Sequence, residues 1–227
     1  MSNKAIPVLA TLSAVGFVAT AWLAFTYAPF EPVLLFNQKI FYWHVPHAFM
    51  LFIATGVCGV CSVVFLKKRT PKWDDRALAS AEIAVLFGAA VLITGSIWAE
   101  AAWDVWWKWE KRLTMSLLLW LVLVGYVLVR RFAGASADRL AAGLAVFGTV
   151  GIPFVYFMVE KSDHHPQAGA GGNVATLTGE MRIVFWMSVL TFFLWFLTLM
   201  MMRVQSAAAE RELRELREKG LDAGVLS

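Results

Sequence analysis

The sequence predicts an all-α integral membrane protein: a six-transmembrane-helix bundle with an outer tryptophan-rich loop. Three observations predict it. The 227-residue chain is 59% hydrophobic and 16% charged, with a mean hydropathy of +0.65, whereas a soluble domain of this length carries more charge. Six apolar runs, residues 6–27, 45–66, 77–98, 113–129, 140–159 and 183–202, each approach the roughly 20 residues that cross a hydrocarbon core. Lysine and arginine concentrate in alternate connections, as they do on the cytoplasmic side of a membrane.

The first run follows Met1-Ser-Asn-Lys4. It is longer than a signal-peptide core and leads into no polar mature region, so it reads as a retained first helix. The second run contains Gly56 and Gly59, which let helices approach closely, and Cys58-x-x-Cys61. That cysteine spacing also serves redox and metal sites. Inside an apolar helix, with no histidine following, it reads as small buried residues at a helix contact. Lys67, Lys68, Arg69, Lys72 and Arg76 crowd the connection to the third run.

The fourth run is the shortest, starting within Leu113-Thr114 and stopping at Arg130-Arg131, with Arg139 beyond. The fifth carries Gly143 and Gly148 for close approach, and Pro153 late, where a kink is expected. The sixth ends at Arg203 and leads into a charged helical extension. There Glu210 with Arg214 and Glu215 with Lys219 stand four apart in the favourable acidic-first order, and Gly220 supplies a stop. No internal repeat divides the chain, which reads as a membrane domain over 1–205 and a cytoplasmic helical tail over 206–227.

The basic connections place both termini in the cytoplasm, and connections 28–44, 98–112 and 160–182 outside. The net charge of +4 and pI near 9.2 come largely from the cytoplasmic loops and need no nucleic-acid partner. In the third outer loop, Gly169-Ala-Gly-Gly172-Asn173 is pliable. That suits either a site admitting something bulky or a solvated linker.

Chemistry concentrates on the outer side. Trp98, Trp103, Trp106, Trp107 and Trp109 are more than headgroup anchoring needs, and a flat apolar ligand such as a porphyrin would explain the excess. On a helical wheel Trp103, Trp106 and Trp107 share a face while Trp109 points elsewhere. All four histidines, His44, His47, His164 and His165, lie at outer helix ends or in outer loops. Neutral imidazole ligates haem iron, which offers one axial position on each face, so one of His44 and His47 and one of His164 and His165 make a sensible pair. His44 and His47 could alternatively form a divalent metal pair. Pro46 argues against it, because it sets His44 before the start of the helix. Lys108, Lys111 and Arg112 supply cations for ligand carboxylates, arginine being best suited to a bidentate contact, although such side chains also snorkel to headgroups.

Thr94-Gly-Ser-Ile-Trp98, followed by Trp103-x-x-Trp106-Trp107-x-Trp109-Glu110-x-Arg112-Leu-Thr114, resembles the WWD motif of haem-handling proteins in cytochrome c assembly. His44-Val-Pro46 and His165-Pro-Gln167 resemble the two histidine motifs of the CcmC branch, which six spans in this length also fit. Asp104 stands where the family pattern has glycine, and Glu110 where it has aspartate.

The resemblance implies a bacterial inner-membrane protein with a periplasm-facing site for haem b in transit. His44 and His165 would be the axial ligands, and Trp98, Trp103, Trp106, Trp107, Trp109 and Arg112 the surrounding surface. It implies delivery to a CcmE-like periplasmic haem chaperone for c-type cytochrome biogenesis. CcmA- and CcmB-like ABC transporter subunits and a small CcmD-like membrane subunit would be the other partners. Such a protein transfers haem rather than acting as an enzyme. The rival readings are a haem lyase subunit, disfavoured by the lack of extra helices or a large outer domain, and a b-type electron carrier, whose paired histidines would lie in the membrane core.

Overall fold

The computed structural model describes residues 4–32, 34–133, 137–157, 174, 177 and 179–224. These form α1 (Ala5–Thr26), a short 3-10 helix (Phe36–Ile40), α2 (Phe41–Lys68), α3 (Pro71–Trp103), α4 (Lys111–Phe132), α5 (Asp138–Phe157) and α6 (Gly179–Asp222). Each of the six α-helices is long and apolar enough to cross a membrane, so the chain is an all-α, multi-pass protein.

Several helices outrun their apolar runs. Hydropathy marks only the stretch that suits lipid, whereas backbone hydrogen bonding continues for as long as the side chains permit. In α3 the helix starts at Pro71, where a missing N–H costs nothing, and takes in Asp74, Asp75 and Arg76. The 44 residues of α6 make a rod of about 66 Å, twice the thickness of a hydrocarbon core.

Helices α2 and α3 form the centre of the bundle. On one side lie α4 and α5, on the other α6, against which α1 packs. Met50, Leu51, Ala54, Ile83, Phe87, Leu119, Leu123 and Phe192 make the middle of the core. On α1 only Ser13, Thr20 and Ala24 are buried, while Val8, Leu12, Val15, Val18 and Trp22 are exposed and suit lipid.

Small residues set the closest approaches. A Cβ on Gly16 would lie 2.6 Å from Thr191 Oγ1, and one on Gly59 would lie 2.1 Å from Thr149 Oγ1. Gly148 also sits at a contact, facing Val122 and Thr55. Gly56 and Gly143 do not. Nothing lies within 4 Å of where their Cβ atoms would be, because they stand on helix faces turned away from neighbours. Cys58 and Cys61 are both buried and free, Cys58 clustering with Ala81, Tyr126, Ala141 and Ala145 at a four-helix contact.

At the basic end, ion pairs tie the helices together. Arg130 bridges Asp74 and Asp138, and Arg203 bridges Glu82 and Glu210. Arg211 pairs with the buried Asp75 at 3.1 Å and with Glu215 at 3.2 Å. The expected Glu210–Arg214 and Glu215–Lys219 pairs are not the ones formed among the described residues. Because α6 runs unbroken past the start of α3, its arginines reach the carboxylates of α3, and Glu210 and Glu215 join those arginines.

Candidate functional site

The opposite end of the bundle is prepared by the first connection. Asn37 Nδ2 donates to the Ala101 carbonyl at 2.8 Å, and Lys39 Nζ donates to the Ala28 carbonyl at 2.5 Å while lying 5.1 Å from the Phe30 ring centre. These contacts anchor the start of α2 against α1 and α3.

His44 lies inside α2, not before it. Pro46 has no N–H for the Tyr42 carbonyl four residues back, but that carbonyl accepts a hydrogen bond from Ser188 Oγ of α6. The proline therefore leaves no buried acceptor unsatisfied and the helix continues through it.

The two histidines of α2 have different surroundings. His44 is 7% exposed, has Nδ1 2.9 Å from Thr94 Oγ1, and meets the Trp98 ring edge-on at 5.6 Å. His47 donates from Nδ1 to the Trp43 carbonyl at 2.7 Å, and its ring sits among Phe192 at 4.5 Å, Phe87 at 5.8 Å and Trp195 at 6.4 Å. A carbonyl can only accept, so this contact fixes His47 as the Nδ1–H tautomer. Among the described residues no group of three or more His, Cys, Asp and Glu side chains could hold a bare metal ion.

A cavity of about 430 Å³ opens beside His44, lined by α2, α3 and α4 together with Val155, Tyr156 and Trp186. That volume lies within the range of small-molecule sites, roughly 300–1,000 Å³. Its walls include His44, Trp98, Trp103, Trp107 and Arg112, together with Phe41, Phe49 and Phe52. His47, Trp106, Trp109, Lys108 and Lys111 are not part of them.

The tryptophans separate because α3 stops at Trp103. Asp104 takes a left-handed conformation, φ 55° and ψ 33°, with its N–H bonded to the Glu100 carbonyl at 3.0 Å. Glycine adopts that geometry without strain and aspartate tolerates it better than most residues, so the turn forms with Asp104 in place. Past this turn no helical wheel applies. The chain returns Trp107 to the cavity and leaves Trp106 62% and Trp109 78% exposed, so Trp106 does not share a helical face with Trp103 and Trp107. The Trp109 ring stands edge-on to Trp107 at 5.6 Å.

Two polar groups on the wall are orphaned. Arg112 Nη1 and Trp107 Nε1 are buried and have no hydrogen-bond partner among the described residues. A buried guanidinium N–H left unpaired is costly, and a ligand carboxylate in the cavity would satisfy it. The chamber is aromatic-walled and apolar, with the His44 imidazole, Arg112 and the acidic Glu110 on its walls, a chemistry suited to a flat apolar ligand that carries both a metal and carboxylates. His164, His165, Gln167 and the glycine-rich stretch 169–173 lie outside the described residues.

The sequence pattern gave no role to Phe41, Phe49, Phe52 or Trp186, and it held Thr94 and Gly95 only as the opening of the tryptophan motif, with no part of their own. The phenylalanines are indistinguishable from any other apolar residue of a span. Thr94 did carry a signal, being a hydroxyl in an apolar run beside a glycine.

The family model described as CcmC, Heme exporter protein C, matches residues 1–219. Heme exporter protein C of Bradyrhizobium diazoefficiens is 30% identical over 182 residues, 78% of this chain and 69% of that protein. Heme exporter protein C of Escherichia coli K12 is 29% identical over 208 residues, 88% of this chain and 82% of that protein. A cytochrome c biosynthesis ccmC-like mitochondrial protein of Marchantia polymorpha is 32% identical over 134 residues, 58% of this chain and 57% of that protein.

Proposed function

The chain belongs to the CcmC family of heme exporter proteins, and from that premise we propose that it handles haem for cytochrome c maturation, holding haem b as cargo and passing it to a CcmE-like chaperone. The site faces the periplasm from the bacterial inner membrane, with both termini in the cytoplasm. Residues 1–205 are the haem-handling membrane domain, and 206–227 a cytoplasmic tail. The observation that carries this reading is the convergence of His44 and Arg112 on one tryptophan-walled cavity.

Each side chain has a part in that reading. His44 would hold the haem iron from the cavity wall, and His165, which lies outside the described residues, would be the second ligand. Bound haem contributes an iron with one open axial position on each porphyrin face. Trp98, Trp103 and Trp107 cover the ring edge and keep water from it, and Arg112 orients the ring by pairing with a propionate. Trp106 and Trp109, outside the cavity, anchor the rim at the headgroup level and meet the haem's other exposed surface during handover. CcmA- and CcmB-like ABC subunits and a CcmD-like subunit complete the assembly, in which ATP hydrolysis releases the loaded chaperone. The chain's role is transfer rather than catalysis.

Two measurements test this. Haem-loaded protein mixed with an apo CcmE-like chaperone should lose its Soret band to the chaperone fraction, and retention of all haem by this chain would contradict delivery. Fusion reporters after Lys72 and Arg131 should report cytoplasm, and those after Asp104 and Gly171 the periplasm. The inverse pattern would put the histidines on the wrong side.

A further inference from the structure

Three contacts meet at the back of the His44 ring. Thr94 Oγ1 lies 2.7 Å from the Ala90 carbonyl oxygen, four residues back along α3, and 2.9 Å from His44 Nδ1. Gly95 presents no side chain to the ring, and a Cβ built there would stand 3.1 Å from His44 Cε1. Trp98, one helical turn further on, closes against the same ring edge-on at 5.6 Å.

The proton count settles which way the bonds run. A threonine hydroxyl has one hydrogen to donate and two lone pairs to accept with. A carbonyl oxygen cannot donate, so the 2.7 Å contact between two oxygens requires the Thr94 hydrogen to lie between them. This back-bond to the i−4 carbonyl is the usual habit of threonine in a helix. The hydroxyl therefore has only lone pairs to offer His44, and His44 Nδ1 must bring the hydrogen. A neutral imidazole protonated at Nδ1 has its one basic lone pair at Nε2. Among the described residues Nε2 has no hydrogen-bond partner, and the side chain lines the cavity.

We propose that Thr94 is a positioning residue for His44, its hydroxyl fixing the imidazole as the Nδ1–H tautomer with Nε2 free for a metal, and that Gly95 provides the clearance in which the ring is held. The consequence for haem rests on the proposed function, but the tautomer is a property of the chain without haem. An N–H that donates to oxygen also makes an imidazole a stronger donor to iron and favours the ferric state, as outer partners of metal-bound histidines do.

The test uses the full chain in lipid nanodiscs, labelled with ¹⁵N-histidine and free of haem, at mildly alkaline pH. The His44 signals are those lost in His44→Ala. Expected are a protonated Nδ1 and a bare Nε2 in the parent protein and in Thr94→Ser, and a mixture or reversal in Thr94→Val. A parent His44 protonated at Nε2, or a Thr94→Val spectrum identical to the parent, would overturn the proposal.

With haem added, Thr94→Val should bind about 10-fold more weakly, at the low end for loss of a partner to a metal-bound histidine, and its reduction potential should move to more positive values. Thr94→Ser should restore both. Unchanged affinity and potential in Thr94→Val despite an altered tautomer would remove Thr94 from haem positioning. Gly95→Ala should weaken haem binding with the Nδ1–H tautomer intact, and parent-like affinity there would refute the clearance role. If the parent protein shows no histidine-ligated haem, the proposed function fails while the haem-free tautomer result still decides the bond.

Discussion

Removing the two cavity tryptophans of the loop region should cost haem binding far more than removing the two exposed ones. Trp103 and Trp107 line the cavity, whereas Trp106 is 62% and Trp109 78% exposed outside it. An indole that shields part of a porphyrin covers roughly 80 Å² of apolar surface, about a third to a half of what a fully buried aromatic side chain covers. At about 25 cal/mol per Å² that is about 2 kcal/mol, or about 30-fold in Kd, for each ring. The rings share a wall, so their losses are not independent, and about 100-fold is expected for Trp103→Ala with Trp107→Ala. Trp109→Ala should cost only a few-fold, through its edge contact with Trp107, which is worth about 0.5–1.5 kcal/mol. Trp106→Ala should cost least. The assay is titration of haem into detergent-solubilised protein, followed at the Soret band, with circular dichroism confirming that each variant keeps its helices. A Trp106/Trp109 double variant as impaired as the Trp103/Trp107 one would refute the assignment of the cavity wall.

Two further outcomes follow from single contacts. Parent protein should bind haem about 10-fold or more tightly than its dimethyl ester, because a charge-assisted bond to Arg112 is worth about 1.5–3 kcal/mol, and Arg112→Met should abolish that preference in the same titration. A preference that survives Arg112→Met would assign the propionate elsewhere. Gly59→Ala should destabilise the bundle by about 1–3 kcal/mol, since the new Cβ would meet Thr149 Oγ1 at 2.1 Å, whereas Gly56→Ala, with nothing within 4 Å, should change stability by less than about 0.5 kcal/mol. Thermal unfolding in detergent reads both, and equal effects would show that these glycines do not differ in packing.

Six spans were legible in the sequence because an apolar run of the right length has few other uses. The helix ends were not, since Asp74, Asp75 and Arg76 look like loop residues to hydropathy, yet α3 begins at Pro71 and sets Asp75 against Arg211, 136 residues on. Part of the cavity's lining was also visible in outline, since Trp98, Trp103, Trp107, His44 and Arg112 were singled out in the sequence and stand on its walls. Its geometry depended on facts that no local pattern carries. A wheel drawn through Asp104 assumes a helix that a positive φ ends, and so grouped Trp106 with Trp103 and Trp107. Pro46 reads as a barrier to helix until Ser188, 146 residues away from Tyr42, supplies the hydrogen bond that the proline withholds. The residues alone left His44 and His47 open, and the resemblance alone favoured His44; that His44 lines the cavity while the ring of His47 sits among Phe87, Phe192 and Trp195 is a fact of packing that no local pattern carries.

The central claim is that His44 presents a free Nε2 to haem iron in the tryptophan-walled cavity, and the spectrum of haem-loaded His44→Ala tests it most directly. The parent should show a six-coordinate low-spin spectrum. His44→Ala should shift it toward five-coordinate, added imidazole should restore the low-spin bands by replacing the lost ligand atom, and His47→Ala should match the parent. A His44→Ala protein that keeps the parent spectrum, or loses it only when His47 is replaced, would contradict the account.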